Sequence, residues 1–360
     1  MGVLEWLRSR SPQAAKCIMV AGGAVILFGF MFYTDEVHMS QTPFRLGSYV
    51  PDDDAESNMV SPRQDQSRRK ALLEEYCQKN SSSDMSPRRM GNFFVSDRYK
   101  VLYCKVARTG STTTSALLYN LEFGTNFTQQ EYLEHQGGTP ILKRLTSYTK
   151  DEQMLRLKTY KKLLVVRNPL ERLVSAYLFF FGGKDYFVGK TRHVLYNQHY
   201  QDMLETIDWK IPHTEDYGVI QTTNEKYHVI PFLAFIRAVT EDTGRWENEH
   251  WALMSNYCPP CQINFDFIAH TETLAEDLNI FFLNAGVIGR ENVFPPVKTA
   301  IGKEKMWDFY RRIQIEDAQR IGRKYEPDFD MFGYSLEESY SLPDYAYFDI
   351  VKIFEDFCNF

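Results

Sequence analysis

The chain has 360 residues, of which 44% are hydrophobic and 15% are aromatic. This composition supports one large or two modest domains with a packed core and excludes an intrinsically disordered chain. The formal net charge of −6 excludes nucleic-acid binding through bulk charge, so a polyanionic ligand would need a local basic groove.

An uncharged apolar segment, CIMVAGGAVILFGFMFY, covers residues 17–33. Its length is at the lower limit for crossing a bilayer, about 17–25 residues. Basic residues precede it and acidic residues follow it, so the positive-inside rule places residues 1–16 in the cytoplasm and the remainder in a lumen. A cleaved signal peptide is the alternative, but no small-x-small cleavage site follows Phe32. We therefore predict a single-pass type II signal-anchor, and the short span favours the thin early secretory membranes, including the Golgi.

A stem is predicted between this membrane segment and the globular part. Residues 34–70 are polar, contain Pro and Ser and lack apolar periodicity, and we assign 34–90 to a lumenal stem. N-x-S/T sequons at Asn80 and Asn126 predict glycosylation and agree with lumenal exposure.

The cysteines predict disulfide bonds rather than a metal site. Cys17 lies at the edge of the apolar segment, which leaves five cysteines, so at least one is free or paired between chains. Cys258 and Cys261 could form half of a zinc site, but no second CxxC or His pair at ligand spacing follows. We predict no metal, and expect these two cysteines to bond each other or to reach Cys77 or Cys358.

A strand, a polar turn and a helix follow one another in the first part of the globular region. YKVLYCKV (99–106) has the pattern of a buried strand, ARTGSTTT (107–114) is a Gly-containing turn, and SALLYNL (115–121) has helical spacing. Backbone N–H groups at a helix start bind anions, and Arg108 adds a fixed positive charge. The alternative is a Ser/Thr N-cap run before an ordinary helix. The absence of the GxxxxGK[ST] pattern disfavours a nucleoside-triphosphatase or a nucleotide kinase.

A second strand-to-helix corner is predicted at residues 161–177. KKLLVV (161–166) resembles a buried strand and is followed by RNPLERLVSAY. Arg167 at the strand end can bind a phosphate bidentately, and Ser175 can add a hydroxyl. Taken alone, Arg172 is expected to be a surface salt-bridge residue.

These segments resemble the Golgi carbohydrate sulfotransferases. VARTGST (106–112) resembles their 5′-phosphosulfate loop, and RNPLERLVSAY (167–177) resembles their 3′-phosphate motif, usually RDPFERLVSAY. The third match consists of NEHW (248–251), YCPPCQ (257–262), FDFI (265–268) and ET (272–273). It is the most specific, because it resembles a run in the branch that includes the HNK-1, chondroitin 4-O and dermatan 4-O sulfotransferases.

The resemblance implies a P-loop-like α/β sulfotransferase fold with a central parallel sheet in residues 91–335, followed by a C-terminal extension at 336–360. It implies transfer of a sulfuryl group from 3′-phosphoadenosine 5′-phosphosulfate (PAPS) to a glycan hydroxyl in the Golgi lumen. The implied acceptors are chondroitin- or dermatan-type or glucuronylated chains, with no nucleic acid, and a homodimer is the predicted assembly. The donor-binding residues that it implies are Val106, Ala107, Arg108, Thr109, Gly110, Ser111, Thr112, Arg167, Asn168, Pro169, Leu170, Glu171, Arg172, Leu173, Val174 and Ser175.

The resemblance implies two catalytic residues, Arg108 and His250. Negative charge builds on the leaving oxygen during sulfuryl transfer, and a cation stabilises it. The family generally places a Pro-Lys pair there, whereas this chain has Ala107-Arg108, and the planar guanidinium is a poor proton donor. Lys105 is the candidate substitute. His250 is the predicted general base because an imidazole titrates near neutrality, with Glu249 as the alternative and a buried structural histidine as the competing interpretation.

Several features remain open at the sequence level. Residues 182–200 mix basic and aromatic side chains and form either a solvated loop or part of a glycan groove. Helical spacing at 303–325 predicts packing on the sheet. His193 and His270 are weaker candidates for the base. The replacement at Ala107-Arg108 also favours an alternative function, a catalytically silent family member that binds glycans or assembles complexes.

Overall fold

The computed structural model describes residues 62–80, 87–136, 138–181, 200–206, 219–221, 226–228, 230–241, 243–290, 293–294, 303–311 and 313–336. They all fall within one compact unit, Val60–Ser339. The predicted cytoplasmic tail and membrane segment lie outside the described residues, as does the C-terminal extension from residue 337 onward. Within the described ranges, no helix combines the length and apolarity that a membrane span requires.

Helices and strands follow one another in the order α1 (Pro62–Lys79), β1 (Phe93–Ser96), β2 (Val101–Cys104), α2 (Ser111–Phe123), α3 (Gln129–His135), α4 (Lys150–Thr159), β3 (Lys161–Val166), α5 (Pro169–Phe181), β4 (Val219–Gln221), β5 (Lys226–His228), α6 (Phe232–Val239), β6 (Phe267–His270), α7 (Leu274–Asn284), α8 (Lys303–Tyr310) and α9 (Ile315–Phe332). Short 3-10 helices cover Pro87–Asn92, Leu145–Ser147, Gln201–Thr206, Met254–Asn256 and Thr271–Thr273. The apolar, helically spaced stretch 303–325 therefore forms two helices, α8 and the first part of α9.

The main sheet of the described chain has four strands in the order β1-β2-β3-β6. Strands β2, β3 and β6 are parallel, as predicted for the central sheet, but β1 is antiparallel to β2, so the sheet is mixed. The reason is the short turn at residues 97–100, because parallel neighbours need a crossover of a dozen or more residues. Strands β4 and β5 form a separate antiparallel pair.

Side chains of the central strands alternate between two hydrophobic clusters. Val165 and Ala269 pack with α2 and α7 on one face of the sheet. Leu164 and Ile268 pack on the other face with residues of α1, of α9 and of the segment from Met254 to Phe265. Coverage on both faces explains why β2 and β6 are buried at every position and read as continuous apolar runs.

Helix α1 belongs to the folded unit, although it lies in the range assigned to the stem. Arg69 is buried and its Nη1 donates to the carbonyl of Ile268 at 2.9 Å and to Oδ2 of Asp277 at 2.8 Å. Leu73 is also buried, and Cys77 is bonded to the segment that follows the NEHW run. The folded part therefore starts before residue 91. The sequence concealed this because α1 is strongly polar and docks mainly through polar contacts of Gln66 and Arg69 and through the disulfide at Cys77, with few apolar side chains.

Two disulfides, Cys77–Cys261 and Cys104–Cys258, connect distant parts of the described chain. The first pairing is one of the predicted alternatives, whereas the second is not. Cys104 ends a buried strand, and only the packing of the sheet against the segment around Cys258 brings the two together. Cys358 lies outside the described residues, and the described residues contain no cluster of His, Cys, Asp or Glu able to hold a metal ion.

The parallel strands determine where a ligand can bind. The chain leaves β2, β3 and β6 at the same edge of the sheet, because these strands run in the same direction. Ligands of open α/β sheets bind outside the carboxyl ends of the strands. The two predicted corners and the residues after His270 therefore share one edge.

Candidate active site

The first corner is the loop Lys105–Gly110, which connects β2 to α2. Thr109 is buried, and its hydroxyl donates to the carbonyl of Val106 at 3.0 Å, which closes the loop on itself. Arg108 and Gly110 adopt left-handed backbone conformations, with φ of 69° and 76°. Glycine is favoured at position 110 because its φ of 76° is strained for residues with a side chain, and an added Cβ would also displace Cδ2 of Leu274 in α7, 2.6 Å away.

Helix α2 begins without a side-chain cap. Gly110 is the N-cap residue, and no side chain accepts a hydrogen bond from the first turn. The alternative of a Ser/Thr N-cap run is therefore wrong for this helix. The N–H groups of its first turn, at Ser111 and Thr112, have the orientation and partial positive charge that bind an anion.

The second corner connects β3 to α5. Asn168 caps α5, since its Oδ1 accepts a hydrogen bond from the backbone N–H of Leu170 at 2.9 Å. Arg167 is buried, and its Nε lies 3.3 Å from Oε2 of Glu171. Ser175 is buried on the next turns of the same helix.

The two corners meet through arginine side chains. Nε and Nη2 of Arg108 donate to Oγ of Ser175 at 3.2 and 2.8 Å, and Nη2 also donates to the Ser175 carbonyl at 2.9 Å. Nη1 of Arg167 donates to the carbonyl of Arg108 at 3.4 Å. The residues predicted to hold opposite ends of one nucleotide therefore lie side by side.

Arg172 is not the surface residue that its position suggested. Its side chain is 1% exposed, and its nitrogens donate to three carbonyl groups. Nε donates to Ala107 at 3.0 Å, Nη2 to Glu249 at 2.9 Å, and Nη1 to Ala252. The prediction was wrong because these acceptors come from two distant loops. Arg172 therefore binds the first corner and the NEHW segment to α5.

His250 lies at this junction. Its ring stacks on Phe179 with 5.8 Å between ring centroids and meets the edge of Phe180 at 4.7 Å. Phe179 also contacts the guanidinium of Arg108, whose Cζ is 4.5 Å from the ring centroid. The imidazole Nδ1 is buried without a hydrogen-bond partner in the described part of the chain, and Nε2 lies 3.7 Å from Oε1 of Glu249. The partner-less Nδ1 does not fit the interpretation of a satisfied structural histidine.

The local charges change the protonation of these groups. Burial, followed by the positive charges of Arg108, Arg172 and Lys105, lowers the pKa of His250 to about 3. Burial and the neighbouring arginines likewise lower the pKa of Arg108 to about 10. Burial lowers the pKa of Lys105, and Glu249 opposes this shift. The site is thus a cationic enclosure with a neutral imidazole, and it suits an anionic ligand.

An acidic group lies on the far side of the second corner. Oε1 of Glu272 accepts from the backbone N–H of Asn168 at 3.4 Å, and its Oε2 accepts from the hydroxyl of Tyr334 at 3.1 Å. Burial, with a contribution from the charge of Glu171, raises the pKa of Glu272. Together with Thr271, whose hydroxyl donates to the carbonyl of Val166 at 2.9 Å, Glu272 anchors the end of β6 to the second corner.

The remaining predicted residues occupy three kinds of position. The buried apolar members of the second motif, which contribute to the core of α5, are Pro169, Leu170, Leu173 and Val174. His270 lies at the end of β6 against Tyr334, with 4.9 Å between ring centroids. His193 and all but the last residue of 182–200 lie outside the described residues.

Sequence reasoning missed Phe179, which contacts both Arg108 and His250, and Phe180, which contacts His250 and Trp251. The only signal was the FFF run at the end of α5, which looks like ordinary core. Their role depends on which neighbours the fold brings to them.

Comparison with known proteins agrees with this geometry. Residues 91–335 match the sulfotransferase family. Carbohydrate sulfotransferase 10 of Homo sapiens is 27% identical and aligns over 83% of both chains. Carbohydrate sulfotransferase 10 of Danio rerio is 29% identical over 68% of this chain and 67% of its own.

Carbohydrate sulfotransferase 8 of Homo sapiens is 29% identical over 77% of this chain and 64% of its own length. No solved structure gave a significant match. The family match spans both strand-to-helix corners and the His250 segment, so the chain belongs to the sulfotransferase family and is a sulfotransferase.

Proposed function

We propose that this sulfotransferase transfers a sulfuryl group from PAPS to a hydroxyl of a glycan. The observation that carries the proposal is the contact of Arg108 with Ser175, which joins the two corners into one site for a nucleotide with an anionic group at each end. Family membership supports PAPS as donor, and the names of the similar proteins support a carbohydrate acceptor.

The donor is held at both ends by different groups. The N–H groups at the start of α2 bind the 5′-phosphosulfate, because they carry the partial positive charge of the helix terminus. Arg167 and Ser175 bind the 3′-phosphate by charge-assisted hydrogen bonds. For Arg167 this requires exchanging its contact with Glu171 for the phosphate.

His250 accepts the proton of the acceptor hydroxyl. The hydroxyl oxygen forms a bond to sulfur as the bond from sulfur to the phosphate oxygen breaks, and adenosine 3′,5′-bisphosphate (PAP) leaves with that electron pair. The imidazole is neutral and therefore able to take the proton. Burial is the largest cause of the low pKa of His250, and the neighbouring cations are the second. An anionic donor offsets the effect of these cations, so the imidazole becomes a stronger base once the donor is bound.

The acceptor class, the compartment and the modification sites belong to the same proposal. Chondroitin- or dermatan-type or glucuronylated chains are the proposed acceptors, and a Golgi membrane anchored through residues 17–33 is the proposed location. Asn80 and Asn126 are exposed in the structure, which suits the proposed glycosylation. A homodimer stays a prediction.

The test is transfer of labelled sulfate from PAPS to desulfated chondroitin, desulfated dermatan and a glucuronylated lactosamine. We expect transfer to at least one acceptor, and we expect Arg167→Ala to weaken PAP binding roughly 10- to 100-fold because a charge-assisted contact is lost. Arg311→Ala is the matched control, because Arg311 is an exposed arginine that pairs with Asp308. It should leave sulfate transfer and PAP affinity unchanged.

Unchanged nucleotide affinity in Arg167→Ala would contradict the 3′-phosphate assignment. Tight PAP binding without transfer to any acceptor would instead favour the catalytically silent function.

A further inference from the structure

Arg108 is a partly buried cation that lacks an anionic partner among the described residues. Among the described residues its guanidinium forms no ion pair, whereas Arg167 pairs with Glu171. Arg172 satisfies its nitrogens with carbonyl groups. The positive charges of Arg167 and Arg172 contribute, after burial, to the lowered pKa of Arg108. Hydrogen bonds to neutral partners do not compensate the repulsion between Arg108 and these two arginines, whereas a bound anion would.

The direction of the side chain shows where that anion would bind. The contacts shown for the guanidinium are with Ser175 and Phe179 of α5 and not with the first turn of α2, where the 5′ end of the nucleotide is expected. The guanidinium crosses to α5 and meets Ser175 through two nitrogens, Nε and Nη2. The ring of Phe179 lies against the guanidinium, with 4.5 Å from Cζ to the ring centroid, and so restrains it in this direction.

The backbone of Arg108 contributes to the same arrangement. Its φ of 69° is uncommon for a residue with a side chain, and its carbonyl accepts from Nη1 of Arg167 at 3.4 Å. The main chain of Arg108 thus contacts Arg167, and its side chain contacts Ser175. These are the two residues that the proposed function assigns to the 3′-phosphate. Such a conformation at a ligand site is consistent with a functional constraint.

We propose that Arg108 binds the 3′-phosphate of the donor together with Arg167 and Ser175, and that it selects nucleotides carrying that phosphate. This inference rests on the proposed function and assigns Arg108 to the opposite end of the donor from the leaving oxygen. A guanidinium suits the role because its planar fork matches two phosphate oxygens, whereas a lysine is a point charge. On this assignment, the arginine at position 108 has a different role from the lysine that the family places there.

The test compares PAP with adenosine 5′-monophosphate, which lacks only the 3′-phosphate. Binding of both nucleotides to the full chain is measured by calorimetry at one ionic strength. We expect the wild type to prefer PAP. Arg108→Ala should weaken PAP binding roughly 10- to 100-fold and monophosphate binding by less than about threefold.

Two further variants make the result specific. Arg108→Lys keeps the charge without the fork, so an intermediate loss for PAP is expected. Combining Arg108→Ala with Ser175→Ala should cost less than the sum of the single changes, because both act on one phosphate. Arg311→Ala should bind both nucleotides as the wild type does, and near-ultraviolet circular dichroism identifies a variant that has lost its packing.

Equal losses for PAP and the monophosphate in both Arg108 variants would overturn the inference, since Arg108 would then act at the 5′ end. A wild type that binds the two nucleotides equally would also overturn it. A wild type that binds neither nucleotide would instead reject the proposed function itself.

Discussion

Burial changes the chemistry of single side chains at this site. His250 and Arg172 lie in one enclosure, because Arg172 donates to the carbonyl of Glu249, the residue before His250. His250 carries a neutral ring, whereas Arg172 carries a guanidinium surrounded by acceptors. A buried guanidinium is tolerable only when its donors are satisfied. Arg172 meets this condition with backbone carbonyls, so it is a positioning residue for the two loops that it joins.

The pKa of His250 predicts an unusual titration. In the free protein the imidazole stays neutral far below the ordinary value of 6.5, because burial and then three cations oppose its protonation. We expect its nuclear magnetic resonance signal not to shift between about pH 8 and about pH 5. The signal is assigned by its loss in His250→Gln, which should also lower kcat roughly 10²- to 10⁴-fold. A midpoint near 6.5 would contradict the prediction.

The lowered pKa of His250 makes the stability of the fold depend on pH. The folded-state pKa of His250 lies below the unfolded value, so the unfolded chain binds more protons as pH falls below 6.5. Its contribution to stability is fully present above pH 6.5 and is lost as pH falls towards about 3. His270, whose pKa is also lowered to about 3 by burial first, adds to the same trend.

Helix α9 and the disulfides act at the scale of whole elements. The hydroxyl of Tyr325 donates to the carbonyl of Trp251 at 2.6 Å, and Asp328 accepts from the N–H of Met254 at 2.9 Å. These contacts attach the segment after His250 to α9. Cys104–Cys258 holds the same segment to the end of β2.

The two disulfides should therefore have different functional effects. Cys104–Cys258 connects the strand that leads into the Arg108 loop with the segment that follows His250, whereas Cys77–Cys261 connects α1 to a more distant part of that segment. Replacing either pair by alanines should destabilise the fold by about 2–5 kcal/mol. The loss of Cys104–Cys258 should in addition lower kcat at least roughly tenfold, because a small displacement of reacting groups is costly.

Steady-state kinetics on folded protein, with unfolding followed in denaturant, separates these effects. The Cys77–Cys261 variant is the matched control for the loss of a disulfide as such. Equal kcat values for the two variants would show that the link to β2 does not position the site.

At the scale of the molecule, α1 determines where the folded unit begins. Arg69 and Asp277 form a buried ion pair between α1 and α7, with side chains 5% and 7% exposed. Breaking such a pair leaves an uncompensated charge and costs about 3–5 kcal/mol. We expect Arg69→Ala to destabilise by this amount, and a chain that begins at residue 91 to be less stable than one that begins at residue 60.

Arg68→Ala provides the control, because Arg68 is the neighbouring arginine of α1 and is 61% exposed in its pair with Asp65. Exposed pairs contribute about 0–1 kcal/mol. Chemical denaturation of the wild type, of the two variants and of the chains that begin at residues 60 and 91 measures the differences. If Arg69→Ala were no more destabilising than Arg68→Ala, α1 would not be an integral part of the fold.

The sequence by itself determined the local features of this protein. Apolar runs predicted β2 and β3, the polar turns after them predicted two anion-binding corners, and the order of the motifs identified the family. These features are readable because strand and helix periods, turns and motifs involve residues close together along the chain.

Only the tertiary structure decided which residues meet. Arg108 and Ser175 are 67 positions apart, and Arg172 finds its acceptors in loops 65 to 80 positions away. The pairing of Cys104 with Cys258 and the inclusion of α1 likewise follow from packing on the sheet. A linear pattern carries no information on such contacts, because they depend on strand order, register and the faces that the helices cover.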